Sequence, residues 1–399
     1  MRYLKTTGLA CAAVLATAGT LRALDSSDLL LLSKGPVLLR PQLNLRETYD
    51  NNVFYQETGL EHDFITTVSP GLKLNLGRRD ANFLAVEYAM DESVYARHSA
   101  NDATQHRFEI SDHYKWNRLA ITGEDRIGLL SGILGGGTYT TAQGQKVDRT
   151  LFSDTYTVSY RVSEKSSVYF RGAHQTSDFQ EGVALFDSLD LTGTAGFEIK
   201  PFPKTGFFGE VYYGRTTVDP NSPAVLPPPR STFSGGFLGV RGKFTRNLTG
   251  IAKVGYEVRE FVDNAPAPSA PVVEIALTQL LSDKAALTLS YSRRTFVSVE
   301  FARQTYSLDA IDLQFTQQIG PSKNWKAKAS ATYSRYNYEP NAGVVRNDSL
   351  LMATAGVTYE MSRWVAAGLG YQFEIYESSI PSAIDYKVNR VTLSLAFGY

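Results

Sequence analysis

The imidazoles of this 399-residue chain are His62, His98, His106, His113 and His174. Imidazole is the side chain best suited to proton transfer near neutral pH and to metal ligation. Their spacing matches no ligand motif, so no metal site is expected. A hydrolase site would need a histidine, a serine and an orienting polar partner. His174 has Ser177 close by, but the sequence shows no evident carboxylate or amide to orient it. Glu87 and Asp91 form a pair of carboxylates, and Lys326 and Lys328 a pair of ammonium groups. Either pair suggests acid–base work or a binding ladder. On an extended strand, however, residues spaced by two or four share one face. Both pairs then read as pieces of one polar wall, and no catalytic residue or cofactor is expected.

Bulk composition narrows the field. Lys plus Arg number 40 and Asp plus Glu number 40, so the chain carries no net charge to hold nucleic acid. The beginning, MRYLKTTGLACAAVLATAGTLRA, has Arg2 and Lys5, then an apolar run from Gly8 to Thr20, then small residues up to Ala23. That is the pattern of a secretory signal over 1–23. Cys11, the one cysteine, would leave with it, and no disulfide or thiolate chemistry is expected. Residues 24–37 form a short separate segment, periplasmic or lumenal. Within it, Asp25–Pro36 is the one stretch that could make a short helix, capped by Asp25 or Ser27.

From Leu38 onward the period is two. Leu39, Pro41, Leu43, Leu45 and Tyr49 fall on one face, and Arg40, Gln42, Asn44, Arg46 and Thr48 on the other. The same comb recurs along the chain in about eighteen segments (sixteen to eighteen). The links between them alternate. Brief turns such as Asn117-Arg118 and Ser362-Arg363 alternate with long links rich in Gly, Pro, Asn and Asp, for example 131–147, 218–230 and 263–271. A meander crossing a slab has this form, with tight turns on one side and loose loops on the other. A tilted strand of roughly 9–11 residues crosses an outer-membrane apolar band. No water reaches the backbone there, so the sheet must close on itself. The fold expected for 38–399 is all-β: a transmembrane antiparallel up-and-down β-barrel with short periplasmic turns and long extracellular loops.

In such a barrel the polar face lines the interior. The charges expected there are Arg40, Arg46, Lys73, Glu87, Asp91, Arg107, Glu109, Lys115, Glu124, Arg126, Arg161, Arg171, Lys326 and Lys328. Both signs are present, so the lining should favour anions only weakly. No evenly repeated aromatic slide is evident on that face. Trp116, Trp325 and Trp364 each adjoin a brief turn and suit an aromatic girdle at the lipid–water boundary. Tyr55, Tyr95, Tyr336, Tyr338 and Tyr376 lie near the loop side and would supply the second girdle. The long link with Gly132, Ile133, Leu134, Gly135, Gly136 and Gly137 can bend sharply. It either folds inward as a constriction or projects outside. The link with Pro227, Pro228 and Pro229 is stiffer and should project outward.

Two stretches resemble known proteins. The chain ends in Leu393, Leu395, Phe397 and Tyr399 on alternate positions, a pattern similar to the C-terminal signal that Gram-negative outer-membrane proteins present to the barrel assembly machinery. Tyr49-Asp50-Asn51-Asn52-Val53-Phe54 resembles a segment of the β-barrel porin 2 family. Asp50, Asn51 and Asn52 suit a turn, after which Val53, Phe54 and Tyr55 would re-anchor the chain at the interface. The resemblance implies a protein of the Gram-negative outer membrane, in contact with its lipid. It implies little about cargo or about whether one copy or three assemble. The function expected is a porin-like channel for passive diffusion of small hydrophilic solutes. The alternatives are a component of surface or exopolysaccharide export or binding, or a plugged structural barrel.

Overall fold

A computed structural model describes residues 32–78, 82–220, 230–262, 269–301, 303–321, 324–340, 345–380 and 383–398. The segment 1–23, the Pro227–Pro229 run and Tyr399 lie outside these residues. Strand follows strand throughout: β1 (Leu32–Lys34), β2 (Val37–Asp50), β3 (Asp63–Gly77), β4 (Phe83–Tyr95), β5 (Ala103–Trp116), β6 (Leu119–Ile133), β7 (Lys146–Arg161), β8 (Ser166–Phe179), β9 (Phe186–Phe202) and β10 (Thr205–Pro220). Then come β11 (Arg230–Lys243), β12 (Leu248–Phe261), β13 (Ala270–Ser282), β14 (Ala285–Val297), β15 (Thr305–Ile319), β16 (Trp325–Tyr338), β17 (Asn347–Ser362), β18 (Val365–Ser378) and β19 (Tyr386–Phe397). Among the described residues, no helix is long and apolar enough to cross a membrane. The chain crosses with strands.

Each strand from β2 to β18 pairs antiparallel with the next, and β19 returns to β2, so eighteen strands form a closed ring. Closure leaves no open edge in hydrocarbon. The closing pair runs from Arg390↔Asp50 to Phe397↔Leu43. Beyond it the start of β2 would have an unpaired edge. There β1 takes over, with Leu32↔Leu39, Ser33↔Leu38 and Lys34↔Val37. The helix expected over 25–36 is therefore not what forms at 32–34. The backbone needs of β2 at the seam, which the local sequence does not reveal, favour a strand.

The eighteen ring strands hold 12 to 17 residues each. Turns on one side are brief. Asn117-Arg118 closes β5–β6 with Asn117 at φ 42°, a left-handed conformation that asparagine tolerates well in a two-residue hairpin. Links on the other side are long. The one between β6 and β7 is shorter than the sequence suggests, because Ser131–Ile133 still pair with β7 (Ser131↔Asp148, Ile133↔Lys146).

The two faces separate as the alternation requires. On the outer face, Phe170, Val211, Leu238, Val254, Leu369 and Leu393 are strongly exposed, an apolar surface that water would not tolerate but lipid does. A closed antiparallel barrel with this outer band is the build of a Gram-negative outer-membrane protein. Trp116, Trp325 and Trp364 are exposed at the brief-turn ends of β5, β16 and β18, with Trp325 packed on Tyr359 at 4.6 Å and Trp116 on Tyr114 at 5.9 Å. Leu393 and Leu395 sit on alternate positions of the same outer face as Val391, and Phe397 closes the β19–β2 register.

Candidate functional site

The link between β6 and β7 crosses the barrel mouth. β7 and β16 stand on opposite sides of the ring, yet Gly137 of this link contacts the end of β16. Its carbonyl accepts from the Tyr338 hydroxyl at 3.2 Å and from Arg346 Nη2 at 3.1 Å. The Gly136 N–H donates to the Tyr386 hydroxyl at 3.1 Å. Thr140 Oγ1 and the Thr141 N–H both donate to Glu300 Oε1 at 2.7 Å. Gln143 Nε2 donates to the carbonyls of Tyr55 and Ile384 at 2.9 and 2.8 Å. These partners belong to four other loop-side regions, so the link ties the far wall to its own.

The near end is held by apolar packing. Leu134, Ala142 and Val147 bury against Phe179, Val183 and Leu185 from the β8–β9 hairpin, with Tyr139 alongside. The two ends of the link lie side by side, with the Leu134 N–H on Gln145 O at 3.0 Å and the Gly144 N–H on Leu134 O at 2.8 Å. Between them sits a single turn of 3₁₀ helix, Thr140–Ala142. Glycine is required where the link meets the wall. A Cβ at Gly136 would stand 2.6 Å from the Tyr376 ring.

Arg346 locks the far wall. Its guanidinium reaches Glu300 at 2.9 Å and Asp348 at 2.6 Å, and lies 4.0 Å over the Tyr338 ring. All three charged side chains are almost fully buried. Sequence reasoning missed this group, because Glu300, Arg346 and Gly137 come from remote parts of the chain.

Tyr336, Tyr338 and Tyr376 are not at the lipid boundary. They share parity with Lys326, Lys328 and Glu374, so they point inward, and they are 7%, 4% and 0% exposed beneath the crossing link. Tyr55 also turns in. Its φ of 54° directs the ring onto Tyr386 at 4.8 Å, with its hydroxyl accepting from Arg390 Nη2 at 3.0 Å. The loop-side girdle expected from these residues is therefore replaced by a tyrosine floor inside the mouth.

The Tyr49–Phe54 segment clasps the barrel seam. Asp50 Oδ1 accepts from the Asn52 N–H at 2.9 Å, closing a local turn. Asp50 Oδ2 accepts from Arg390 Nε at 2.6 Å. Asn51 Oδ1 accepts from the Asn389 N–H at 2.7 Å. Asn52, fully buried, donates to the carbonyls of Gln56 at 2.7 Å and Lys387 at 3.1 Å, and accepts from the Gln56 N–H at 2.9 Å. Val53 is buried here and does not re-anchor the chain at the membrane boundary.

Below the mouth, the sequence-singled charges lie in register on the inward face. Asp91 pairs with Arg46 at 3.4 Å and Arg107 at 2.7 Å, and Glu87 with Lys73. Glu87 and Asp91 thus belong to two separate groups of ion pairs, not to a carboxylate dyad. Arg40 stands across from Lys73, Glu109 across from Arg126, and Glu124 bridges Arg126. Arg171 binds Glu210 at 2.8 Å and Lys326 binds Glu360 at 2.5 Å. Lys328 stands across from Gly356 on the same face.

Aromatic rings do occupy the inner wall of β8–β12, as a covered base and not as an evenly repeated slide facing the lumen. Tyr169, Phe208, Phe233 and Phe237 are inward but at most 8% exposed, because charged side chains lie over them. Arg241 covers Phe208 at 5.1 Å, Lys253 covers Phe237 at 4.6 Å, and Arg259 covers Phe233 at 4.4 Å. The result is a cation-faced wall on an aromatic base.

The histidines are dispersed. On the loop side, His98 Nδ1 meets Asp63 at 2.8 Å and Nε2 meets Glu61 at 2.6 Å. The hydrogen bond to Asp63 raises the His98 pKa above its ordinary value. His106 bonds the Tyr88 hydroxyl and His113 faces Thr122. His62 meets Arg97. His174 faces outward and does have a carboxylate partner, Asp154 at 2.9 Å, which the sequence reading did not find. The residues directly across from His174 are Asp154 and Leu191, so no serine completes a hydrolytic set there. Among the described residues, no three His, Cys, Asp or Glu side chains converge as metal ligands.

A search of curated proteins finds no match. Similar solved structures include OccK3 (OpdO) of Pseudomonas aeruginosa, at 12% identity and TM-score 0.45, covering 90% of this chain and 96% of that one. OpdK of the same organism, solved with vanillate, is 10% identical at TM-score 0.47, covering 90% and 99%. The copper transporter OprC is 9% identical at TM-score 0.49, covering 92% and 82%. At such values these likenesses bear on neither the cargo nor the mechanism of this chain. Over residues 311–399, which hold most of β15 and the strands after it, the chain matches the model of the family described as Putative beta-barrel porin 2.

Proposed function

We propose that the protein is an outer-membrane channel for passive diffusion of small hydrophilic solutes, constricted at its outer mouth by the link 134–145. One observation supports this above the others: a single link, bonded to both walls, crosses the mouth of a barrel whose inward face is polar. A ring of eighteen strands is wide enough to leave an aqueous lumen below such a link. The inward charges are mostly paired across neighbouring strands, which sets transverse fields without a strong net sign. Selectivity between simple ions is then weak. On this reading the three tryptophans seat the barrel at the periplasmic boundary, residues 1–23 direct secretion, and the C-terminal residues through Tyr399 address the assembly machinery. The residues named act on the passage of solute and do no chemistry on it.

Refolded protein in planar bilayers tests the proposal. Steady, ohmic single-channel steps are expected, with a reversal potential in a KCl gradient that leans slightly toward anions. A correctly folded barrel that stays electrically silent would contradict it and leave a plugged structural barrel.

A further inference from the structure

We infer that the inner wall at the turn-side mouth holds a binding niche for small solutes bearing two or more anionic oxygen groups. The inference deepens the channel reading and rests on it for its physiological meaning. Along most of the inward face each cation has an acidic neighbour. At the turn side of β5–β8 the pattern breaks. Lys115, Arg118, Arg161 and Lys165 line one concavity, are exposed within it, and make no ion pair among the described residues.

The hollow follows from side-chain size. The register row Lys115–Ala120–Ser159–Tyr169 runs across four strands on the inward face. Ala120 and Ser159 are short, so space remains above them, with Lys115 on one flank and Tyr169 on the other. Three acids also line the hollow, Glu164, Glu198 and Glu210, and they are outnumbered: Glu164 is a single exposed carboxylate at the β7–β8 turn beside four cations without an ion pair, and the other two are already engaged. Glu210 is held by Arg171 at 2.8 Å and the Tyr169 hydroxyl at 2.9 Å. Glu198 is held by Arg241 in two bonds, 3.1 and 2.7 Å. Both carboxylates are buried while Arg171 and Arg241 remain a third or more exposed, so the face presented to the lumen is cationic.

The chemistry of a fitting ligand follows. Free guanidinium and ammonium groups around a recess with low-dielectric walls concentrate anions. Guanidinium forks bind carboxylate or phosphate oxygens in pairs. A monovalent ion gains from one such group at a time, whereas an ion with two charged ends engages two of the lining cations at once. The turn side of an outer-membrane barrel faces the periplasm, so the niche is an exit station for anionic cargo.

Pyrophosphate is the probe. Calorimetric titration of the full-length detergent-solubilised barrel should show saturable binding that weakens about tenfold when salt is raised from about 0.05 to 0.5 M, as screening shortens the Debye length. The variant K115Q/R161Q/K165Q, checked for folding by heat-modifiable migration, should bind at least about tenfold more weakly. No binding to the natural protein, or equal binding by the variant, would overturn the inference; the salt series decides even where the variant misfolds. Current recording separates the two readings. A barrel that binds pyrophosphate but never conducts keeps the niche and discards the channel. A conducting barrel indifferent to pyrophosphate does the reverse.

Discussion

Excision of Gly135–Gln143, with Leu134 joined to Gly144 through an Asn-Gly pair, should raise single-channel conductance severalfold and admit larger neutral polymers. The link is an Ω-shaped excursion whose ends already lie side by side, bonded at 2.8 and 3.0 Å, so removal needs little rearrangement of β6 or β7. Its loss frees the Tyr338, Tyr386 and Glu300 contacts that now span the mouth. The far wall should survive, because Arg346 keeps Glu300 and Asp348 as partners. Exclusion of polyethylene glycols of graded size reads the change in aperture. An unchanged conductance with a folded barrel would place the narrowest point elsewhere.

The second large effect concerns the seam. Replacing Arg390 with Met should lower the urea midpoint of the folded barrel far more than replacing Arg126 with Met. Arg390 bonds Asp50 at 2.6 Å and Glu374 at 3.2 Å, and both carboxylates are buried. Removing the cation strands them, at a cost of about 3–5 kcal/mol. Arg126 and Glu124 are both substantially exposed, and a pair of that kind contributes about 0–1 kcal/mol. Asn52 offers an independent test of the same clasp. Its change to Leu leaves the Gln56 N–H and two carbonyls without their partner at a fully buried site, at roughly 1–3 kcal/mol per unpaired group. Equal midpoints for the Arg390 and Arg126 variants, from heat-modifiable migration after urea, would show that the seam is no weaker without its clasp.

Much of this architecture is legible in the chain itself. Period-two alternation marks all eighteen ring strands, because a wall between lipid and water forces apolar and polar residues onto opposite faces. The alternation of brief and long links gives the meander. The destination of the 134–145 link is not legible. Its partners sit across the ring, and only closure brings Gly137 beside Tyr338 and Arg346. The tyrosines were open to a better reading. Continuing the parity of Lys326 and Lys328 up β16 puts Tyr336 and Tyr338 inside, whereas nearness to a loop suggests a girdle. Register would also have found the His174–Asp154 pair, since the two are equidistant from Glu164 in the β7–β8 turn. The covered aromatics of β8–β12 could not be foreseen, because their burial depends on which cations of neighbouring strands lie over them. The strand at Leu32–Lys34 follows from an edge left by β19, some three hundred and sixty residues away.

The central claim is that one face of every strand meets lipid and the other meets water. Nitroxide labels placed singly at Leu238, Leu393, Thr332 and Gln372 of the reconstituted barrel test it directly. Leu238 and Leu393 are 70% and 59% exposed on the outer face, and Thr332 and Gln372 point inward. The first two should relax with dissolved oxygen and ignore a water-soluble nickel chelate, and the last two should respond to the chelate. Chelate contact at Leu238 and Leu393, with oxygen dominating at Thr332 and Gln372, would contradict the account.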